Sequence, residues 1–383
     1  VMWNYWGYLY FSDEDYDQAM YAYEQLLKEP DATVPLRTAS LLTLAQLNLV
    51  KENWDKGIRL ILQWMDEVEN VTAQSYYLLS SAYFQKEDFV KARSNMETAI
   101  RLAEEEGYRP KENWYVLLAA CFSELKDRKI IGAAYALEQQ LGIYEILVNY
   151  YPKKMYFLQL AGTYQQMDRE EDYMITLKAA HGKDLLDKEG EYLALAQLLL
   201  IKKNPYWAAQ VLVSGQQKKV TIKDEDTGEE EVIPVLKDTE KNLKLLADSW
   251  RMAQEIDKAI PVLEKAAKMS KDGDTYVLLG NLYLFEDRMK DSIRAIEAGL
   301  KKAKVKSRSQ AQLVLGQAHF ELQNFEEAKK QFRLAARDDN KRIKKTANSW
   351  IKYAENEEIR VKNLALRRDF IQQSKAKTKA KNS

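Results

Sequence analysis

The sequence predicts an all-α solenoid, that is, a stack of short helix pairs. Bulky and small residues recur along the 383-residue chain at a spacing of roughly 34 residues. Gly and Pro are few, at 14 and 7, while charged residues make up 30%. This composition favours amphipathic helices over a sheet broken by turns. A chain of this length could form two or three globular domains, but a solenoid is the exception to that estimate.

The first thirty residues show the repeat most clearly. The fitting bulky and small residues are Trp3, Trp6, Gly7, Tyr10, Tyr16, Ala19, Tyr23 and Pro30. Their order is that of the tetratricopeptide repeat (TPR), in which a small residue lets the second helix approach the first. Further repeats begin near Leu41, Tyr76, Trp114, Phe157, Tyr192, Leu243, Tyr276 and Gln312. The sequence therefore predicts a TPR superhelix of about nine helix-turn-helix repeats over 1–340.

Two intervals between repeats are long enough to contain insertions. Residues from about 128 to 143 keep a helical composition, so the second helix of the fourth repeat is either lengthened or preceded by an extra turn. Residues from about 217 to 239 place β-branched side chains on both sides of Thr227-Gly228. This second pattern predicts a short β-hairpin.

The residues after the ninth repeat predict a helix and a tail. In 341–373, Ala347, Trp350 and Ala354 fall on one face, as a C-terminal capping helix requires to cover the apolar end of a stack. Residues 374–383 (SKAKTKAKNS) lack apolar periodicity. They predict a disordered basic tail.

Charge and hydropathy exclude several classes of partner. Lys plus Arg and Asp plus Glu are both 58, so the chain has no net field that would draw it to nucleic acid or to an anionic membrane surface. No apolar run approaches the ~18 residues of a membrane-spanning segment. The single cysteine, Cys121, excludes an intramolecular disulfide and a Cys-based zinc site, and we expect it to be buried.

No constellation of residues indicates catalysis. His181 and His319 lie in different repeats, and neither HExxH, a phosphate-binding loop nor GxGxxG occurs. Asp224, Asp226 and Gly228 resemble the start of a calcium loop, but the glycine comes one place early and the third acidic ligand is missing. We therefore expect no enzymatic activity, no cofactor, no metal and no small-molecule substrate.

One stripe of each first helix lines the concave groove of a TPR superhelix. Here that stripe, which we call the groove set, consists of Tyr8, Phe11, Leu42, Gln46, Leu49, Tyr77, Phe84, Tyr115, Phe122, Leu193, Gln197, Leu200, Asn281, Leu284, Gln317 and Phe320. Its aromatic, aliphatic and amide side chains suit an extended peptide or an amphipathic helix of a protein partner. Packing between neighbouring repeats is an equally good interpretation for any single apolar member.

Recognition of an acidic C-terminus is disfavoured. That task needs Lys, Asn and Arg at set groove positions, and the first repeats offer no such cations. The seventh repeat alone has a charged groove segment, with Lys244, Asp248 and Arg251.

Several stretches resemble bacterial TPR proteins described as components of the TonB system. They are YAYEQLLKEP, LLTLAQLNLVKENWDKGI, RPKENWYVLL, NYYPKKMYFLQLAGTY, KAIPVLEKAAKMS and ANSWIKYAE. Since PKENW, YPKK and SWIKY are not part of the TPR pattern, the resemblance exceeds a general match. It implies a periplasmic accessory of the TonB, ExbB and ExbD energy-transduction apparatus, which powers uptake of iron complexes across the outer membrane of Gram-negative bacteria. It brings no catalytic residues.

Two functional hypotheses follow, and both describe a non-enzymatic scaffold for protein–protein interaction. The first is the periplasmic TonB accessory, with a signal peptide removed upstream of Val1 because the chain opens inside a predicted helix. The second is a structural assembly subunit of another bacterial envelope or membrane machine, bound through the insertions.

Overall fold

The computed structural model describes residues 2–223, 228–302 and 304–381, and most of them are helical. Backbone contacts divide the chain into two compact units, Val1–Leu185 and Leu186–Ser383. The first unit holds α1 (Met2–Ser12), α2 (Tyr16–Lys28), α3 (Val34–Val50), α4 (Trp54–Glu67), α5 (Ala73–Gln85), α6 (Phe89–Glu105), α7 (Glu112–Asp127), α8 (Ala133–Tyr150), α9 (Lys154–Gln166) and α10 (Glu170–Gly182). The second unit holds α11 (Glu189–Ile201), α12 (Pro205–Gln217), β1 (Lys219–Lys223), β2 (Glu230–Pro234), α13 (Glu240–Met252), α14 (Ile256–Met269), α15 (Asp274–Phe285), α16 (Met289–Leu300), α17 (Arg308–Glu321), α18 (Phe325–Ala335) and α19 (Lys341–Lys381). The described helices α1 to α18 therefore form the nine predicted pairs, and α19 follows them.

The two helices of each pair are joined by the same kind of tight turn. One residue of each turn has a left-handed backbone, with φ between 55° and 64°. The N–H of the next residue donates to the carbonyl five positions earlier, as Asn53 does to Asn48 at 2.8 Å. The left-handed residues are Glu14, Glu52, Glu87, Lys129, Asp168, Lys203, Gln254, Asp287 and Gln323. None of them is glycine, so each turn carries a steric cost of about 1 kcal/mol that packing of the pair offsets.

A small residue in the first helix of a pair lets the second helix lie close to its backbone. A Cβ atom at Gly316 would stand 2.5 Å from Cε1 of Phe332, and one at Gly280 would stand 2.5 Å from Cδ1 of Ile296. Phe332 and Ile296 are fully buried, so a dense interior holds them in place. The small positions of the repeat pattern thus correspond to close contacts between helices.

Apolar clusters join each pair to its neighbour within a unit. In the first unit, one cluster takes side chains from α5 through α9 and includes Trp114, which is 2% exposed. In the second unit, Phe332 of α18 packs with Trp350 and Ala354 of α19. These clusters span more than one pair, so a pair depends on its neighbour for burial.

The insertion expected at about 128–143 lengthens the second helix of the fourth pair. Helix α8 has 18 residues, one more than α6 and five more than α2, α10 and α12. The turn before it ends at Gly132, which is the residue that precedes the helix. The turn between α7 and α8 has five residues, whereas the turn between α5 and α6 has three, so the extra residues are divided between a longer turn and a long helix.

The insertion expected at about 217–239 forms the predicted hairpin. Strands β1 and β2 pair antiparallel, with Lys223 opposite Glu230. At the base, the N–H of Val235 donates to the carbonyl of Lys218 at 2.8 Å, and Val235 is buried. The proposed tip, with both aspartates of the calcium-like pattern, falls in 224–227 and lies outside the described residues.

The long helix α19 confirms the predicted cap but not the predicted tail. Ala347 and Ala354 are fully buried against the preceding pair, and the Trp350 ring stacks on Phe332 at 5.5 Å. The expectation of disorder in 374–383 is wrong for 374–381, which continue the helix. Six of these eight residues are Lys or Ala, which favour helix formation even where the sequence has no apolar periodicity.

A buried lysine links α19 to α18. The Lys329 ammonium lies 2.8 Å from a Glu326 carboxylate oxygen and 2.7 Å from one of Glu358, and only 9% of its side chain is exposed. Hydrogen bonds from Lys329 and Lys362 lower the pKa of Glu358 from its usual 4.5 to about 2. The carboxylate is therefore charged at neutral pH and satisfies the buried cation.

Two single glycine-to-alanine variants should separate the effect of close helix packing on stability from the effect of helix propensity. At Gly142 of α8 a Cβ would meet no described atom within 4 Å, so Gly142→Ala should stabilise the protein by about 0.5–1 kcal/mol. At Gly316 the Phe332 ring blocks the same atom, so Gly316→Ala should destabilise it by about 1–3 kcal/mol. Urea denaturation measures both, and equal stabilisation by the two variants would contradict the close approach.

The ion pair at Lys329 should make the packing of α19 acid-sensitive. Because folding lowers the pKa of Glu358, the stabilisation it provides is present above about pH 4.5 and is lost as the pH falls towards 2. The stability difference between wild type and Glu358→Gln should therefore shrink across this range in thermal denaturation. Lys329→Ala should lower the melting temperature, whereas Lys330→Ala, at a site with 62% side-chain exposure, should leave it nearly unchanged.

Candidate protein-binding surface

The first two pairs expose part of the groove set. Tyr8 and Phe11 of α1 are 65% and 45% exposed. On α3, Gln46 is exposed, while Leu42 and Leu49 are half-buried. Leu49 also packs against the apolar cluster below it. This part of the surface thus offers two aromatic rings and one amide to solvent, on a partly buried aliphatic base.

The groove-set residues of α5 are partly used for packing. The Tyr77 ring stacks on Trp114 of α7, with centroids 5.4 Å apart, and its hydroxyl oxygen accepts a hydrogen bond from Asn113 Nδ2 at 2.8 Å. Phe84 meets the edge of Phe89 at 5.1 Å. Both groove-set side chains stay half-buried. They are therefore held in one orientation with one side still accessible, as a preformed binding surface requires.

The structure places Tyr115 and Phe122 of α7 in the core rather than on the groove surface. They are 4% and 1% exposed. Desolvation raises the pKa of Tyr115 to about 12. Phe122 lies against the ring of Tyr135 in α8, at 6.2 Å between centroids, and under the Arg93 guanidinium at 5.7 Å. Spacing along α7 could not show that the neighbouring helices cover these positions.

In the second unit, α11 retains the predicted pattern. Gln197 is exposed, and Leu193 and Leu200, four residues before it and three residues after it, are half-buried. The arrangement matches that of Leu42, Gln46 and Leu49 in α3, an amide between two aliphatic residues. An exposed amide between two half-buried leucines therefore occurs in α3 of the first unit and in α11 of the second.

Helices α15 and α17 present amides that are less open. Asn281, Leu284 and Gln317 are half-buried. The Asn281 Nδ2 atom donates to the carbonyl of Val277 at 2.9 Å, so part of its hydrogen-bonding capacity is used by its own helix. These residues offer a smaller polar surface than Gln46 and Gln197 do.

Phe320, at 9% exposure, is also a packing residue. Its ring contacts Trp350 and Tyr353 of α19, at 5.5 and 5.1 Å between centroids. Trp350 and Tyr353 in turn line an open depression of about 470 Å³ together with Lys345, Thr346 and Ser349. The cap thus covers a groove-set residue and supplies two aromatic residues of its own. The WIKY stretch of the sequence therefore contributes both to the cap and to this exposed surface.

The charged segment on α13 is compensated within its own helix. Arg251 Nη2 lies 3.1 Å from Asp248 Oδ1, and Lys244 Nζ lies 3.8 Å from Glu240 Oε1. Such neighbouring pairs on one helix are ordinary surface ion pairs. They do not form the converging cations that grip a carboxylate.

The reactive residue types lie in unreactive surroundings. Cys121 is fully buried, and desolvation raises the pKa of its thiol to about 12, so it remains protonated at neutral pH. Burial lowers the pKa of His319, which keeps it neutral. Among residues 2–223, 228–302 and 304–381, no cluster of three or more His, Cys, Asp or Glu could hold a metal ion. No helix in those ranges combines the length and apolarity needed to span a bilayer.

Two segments of the chain match family models described as tetratricopeptide repeat. The matches cover residues 73–106 and 277–342. The first contains α5 and α6, and the second contains most of α15 and all of α16 to α18. Comparison with curated proteins found no match.

Many solved structures show a distant likeness to the chain. One is a TPR protein from Parabacteroides merdae, at 14% identity over 74% of this chain and 98% of that one, with a TM-score of 0.29. Another is YrrB, titled a TPR protein with an unusual peptide-binding site, at 11% identity over 54% and 96%, with a TM-score of 0.40. A third is MamA, at 18% identity over 48% and 97%, with a TM-score of 0.37.

Proposed function

We propose that this tetratricopeptide-type solenoid binds a protein partner through the exposed members of its groove set. The observation that carries the proposal is the recurrence of an exposed amide between two half-buried leucines, at Gln46 in α3 and Gln197 in α11. Repeats of the type matched at 73–106 and 277–342 act as scaffolds for protein–protein interaction.

The chemistry of the exposed residues suits an extended segment of a partner. A Gln side chain can donate to and accept from the main chain of a bound peptide, and the flanking leucines give it an apolar base. In the first unit Tyr8 and Phe11 add exposed aromatic contact area. Rigid aromatic side chains lose little conformational entropy on binding, which makes them effective anchors.

For the partner, we propose a subunit of the TonB, ExbB and ExbD energy-transduction system, with this chain as a periplasmic accessory in uptake of iron complexes. The support is the resemblance carried by the PKENW, YPKK and SWIKY stretches. An apolar or amphipathic segment of an envelope subunit fits the exposed residues better than an acidic C-terminus does, because the cations of α13 are paired with carboxylates.

One double variant, at two exposed residues of the groove set, tests whether the groove binds the partner. Tyr8→Ser with Gln46→Lys should weaken binding to the soluble periplasmic domain of TonB or ExbD by about 5- to 30-fold, as loss of an interface anchor does. Surface plasmon resonance with the purified domains measures the effect. Because both side chains are exposed, the melting temperature should not change.

Tyr108→Ser is the matched control. Tyr108 is 45% exposed and lies in the loop after α6, which contributes no member of the groove set. It should bind as the wild type does. Binding that is unaffected by the groove variant, or equally weakened by the control, would contradict the groove. If the groove instead binds a protein from outside the envelope, the scaffold function is supported and the TonB assignment is contradicted.

A second candidate function is assembly through the hairpin, and the exposed apolar residues of its strands favour it. Ile222 and Val232 are 43% and 61% exposed, and in the described two-stranded sheet each strand has one side without a strand partner. An exposed strand edge can accept a strand from another chain.

Replacing 219–234 by a two-residue Asn-Gly turn tests this candidate. The hydrogen bond between Val235 and Lys218 holds the two ends together, so a short turn can close the gap. The variant should keep the wild-type melting temperature and lose assembly into the larger complex, measured by analytical ultracentrifugation of the reconstituted components. Unchanged assembly would remove the hairpin from consideration and leave the groove.

A further inference from the structure

The second half of α19 extends beyond the helix pair on which its first half packs. Val361 is the last residue of α19 that contacts the apolar cluster shared with α17 and α18. Every described side chain from 363 to 376 is exposed. At 1.5 Å per residue, 363–381 extends for roughly 28 Å. We call residues 359–381, which include this last packing contact at Val361, the α19 extension.

The α19 extension carries large apolar side chains that no described residue covers. Ile359, Leu366 and Phe370 are 59%, 67% and 74% exposed, and their spacing places them on one stripe of the helix. Leu364 and Ile371 are 40% and 44% exposed and form a second stripe. Together they form an apolar surface whose exposure to water is energetically unfavourable.

The same segment is strongly basic. From 363 onward the sequence contains six Lys or Arg residues, and Asp369 is the only acid. Arg360 and Lys362, nearer the core, are paired with Glu357 and Glu358. Because the chain as a whole has no net charge, the excess of positive charge here is matched by an excess of negative charge elsewhere. The overall balance therefore hides a local separation of charge.

The positive charge of the α19 extension indicates which binding partner its apolar surface fits. A second copy of the chain, paired extension to extension, would bring two clusters of positive charge together at close range, which is unfavourable. An anionic bilayer offers negative headgroups to the cations and a hydrocarbon boundary to the leucines and Phe370. Four to eight Lys or Arg on an amphipathic helix are characteristic of binding to anionic lipid.

The spread of the apolar residues favours a bilayer over an acidic partner helix. The consecutive residues Phe370 and Ile371 point about 100° apart on the helix, so the apolar surface is broader than the single seam that one partner helix covers. Arg367 lies between the two stripes, and its long side chain can reach the headgroups while its aliphatic part stays in the apolar layer. We propose that the α19 extension is a peripheral site for an anionic membrane surface.

The proposed site differs from the expectation, drawn from overall charge balance, that an anionic membrane surface is not a partner. That expectation holds for the sum of the charges, but binding depends on the charge within about a Debye length of the surface. The proposed membrane site is independent of the groove set and of the identity of the protein partner.

Vesicle flotation with the full chain tests the site. The wild type should float with vesicles of phosphatidylglycerol and phosphatidylcholine but not with phosphatidylcholine alone, and binding should weaken as salt is raised. Arg367→Gln with Arg368→Gln should weaken binding at least tenfold, since each cation near an anionic surface contributes substantially. Leu366→Ser with Phe370→Ser should weaken it by a similar factor through loss of apolar insertion.

Matched controls distinguish the site from general stickiness. Phe285→Ser removes an aromatic ring that is 70% exposed on α15, and Lys202→Gln with Lys203→Gln removes two adjacent exposed cations after α11. Both controls should bind vesicles as the wild type does. Equal loss in controls and extension variants, or equal binding to neutral vesicles, would overturn the proposal. Binding to poly-glutamate without binding to anionic vesicles would overturn it in favour of an acidic protein partner.

Discussion

The close approach of the two helices in each pair is the contact on which the other features of the fold depend. At Gly280 and Gly316 there is no room for even one more carbon atom beside Ile296 and Phe332. The approach gives each pair a large internal contact, yet it leaves apolar residues on the outer sides of both helices. Those residues need another pair to cover them, which is why the apolar clusters cross from one pair to the next.

The same requirement decides which residues are free to bind a partner. Position in the repeat selects one stripe of each first helix, and whatever packs on that stripe decides its exposure. On α1, α3 and α11 the stripe stays open. On α7 the rings of Tyr115 and Phe122 are buried among neighbouring helices, and on α17 the cap covers Phe320. A scaffold of repeated pairs can thus vary its binding surface through helix length and caps, with its core left unchanged.

Positive and negative charges are equal over the whole chain but not within the α19 extension. Most described ion pairs lie within one helix or link a pair to the next, as Lys329 links α18 to α19. Beyond Lys362 the α19 extension has basic residues but almost no acids with which to pair them. The neutral total therefore describes the stack well and the extension poorly, because electrostatic binding is sensitive to charges that are close together.

The sequence by itself determined the helix pairs, their number, the lengthened fourth repeat, the hairpin and the cap. These features depend on residues near one another in the chain, such as the small positions, the β-branched stretches and the 3.6-residue periodicity. Only the tertiary structure decided that Tyr8, Gln46 and Gln197 are exposed while Tyr115, Phe122 and Phe320 are buried. The structure also shows that α19 continues past its last packing contact, where only the helix propensity of its own residues supports it. Burial is set by residues of other helices, often tens of positions away, and a single helix's pattern does not contain that information.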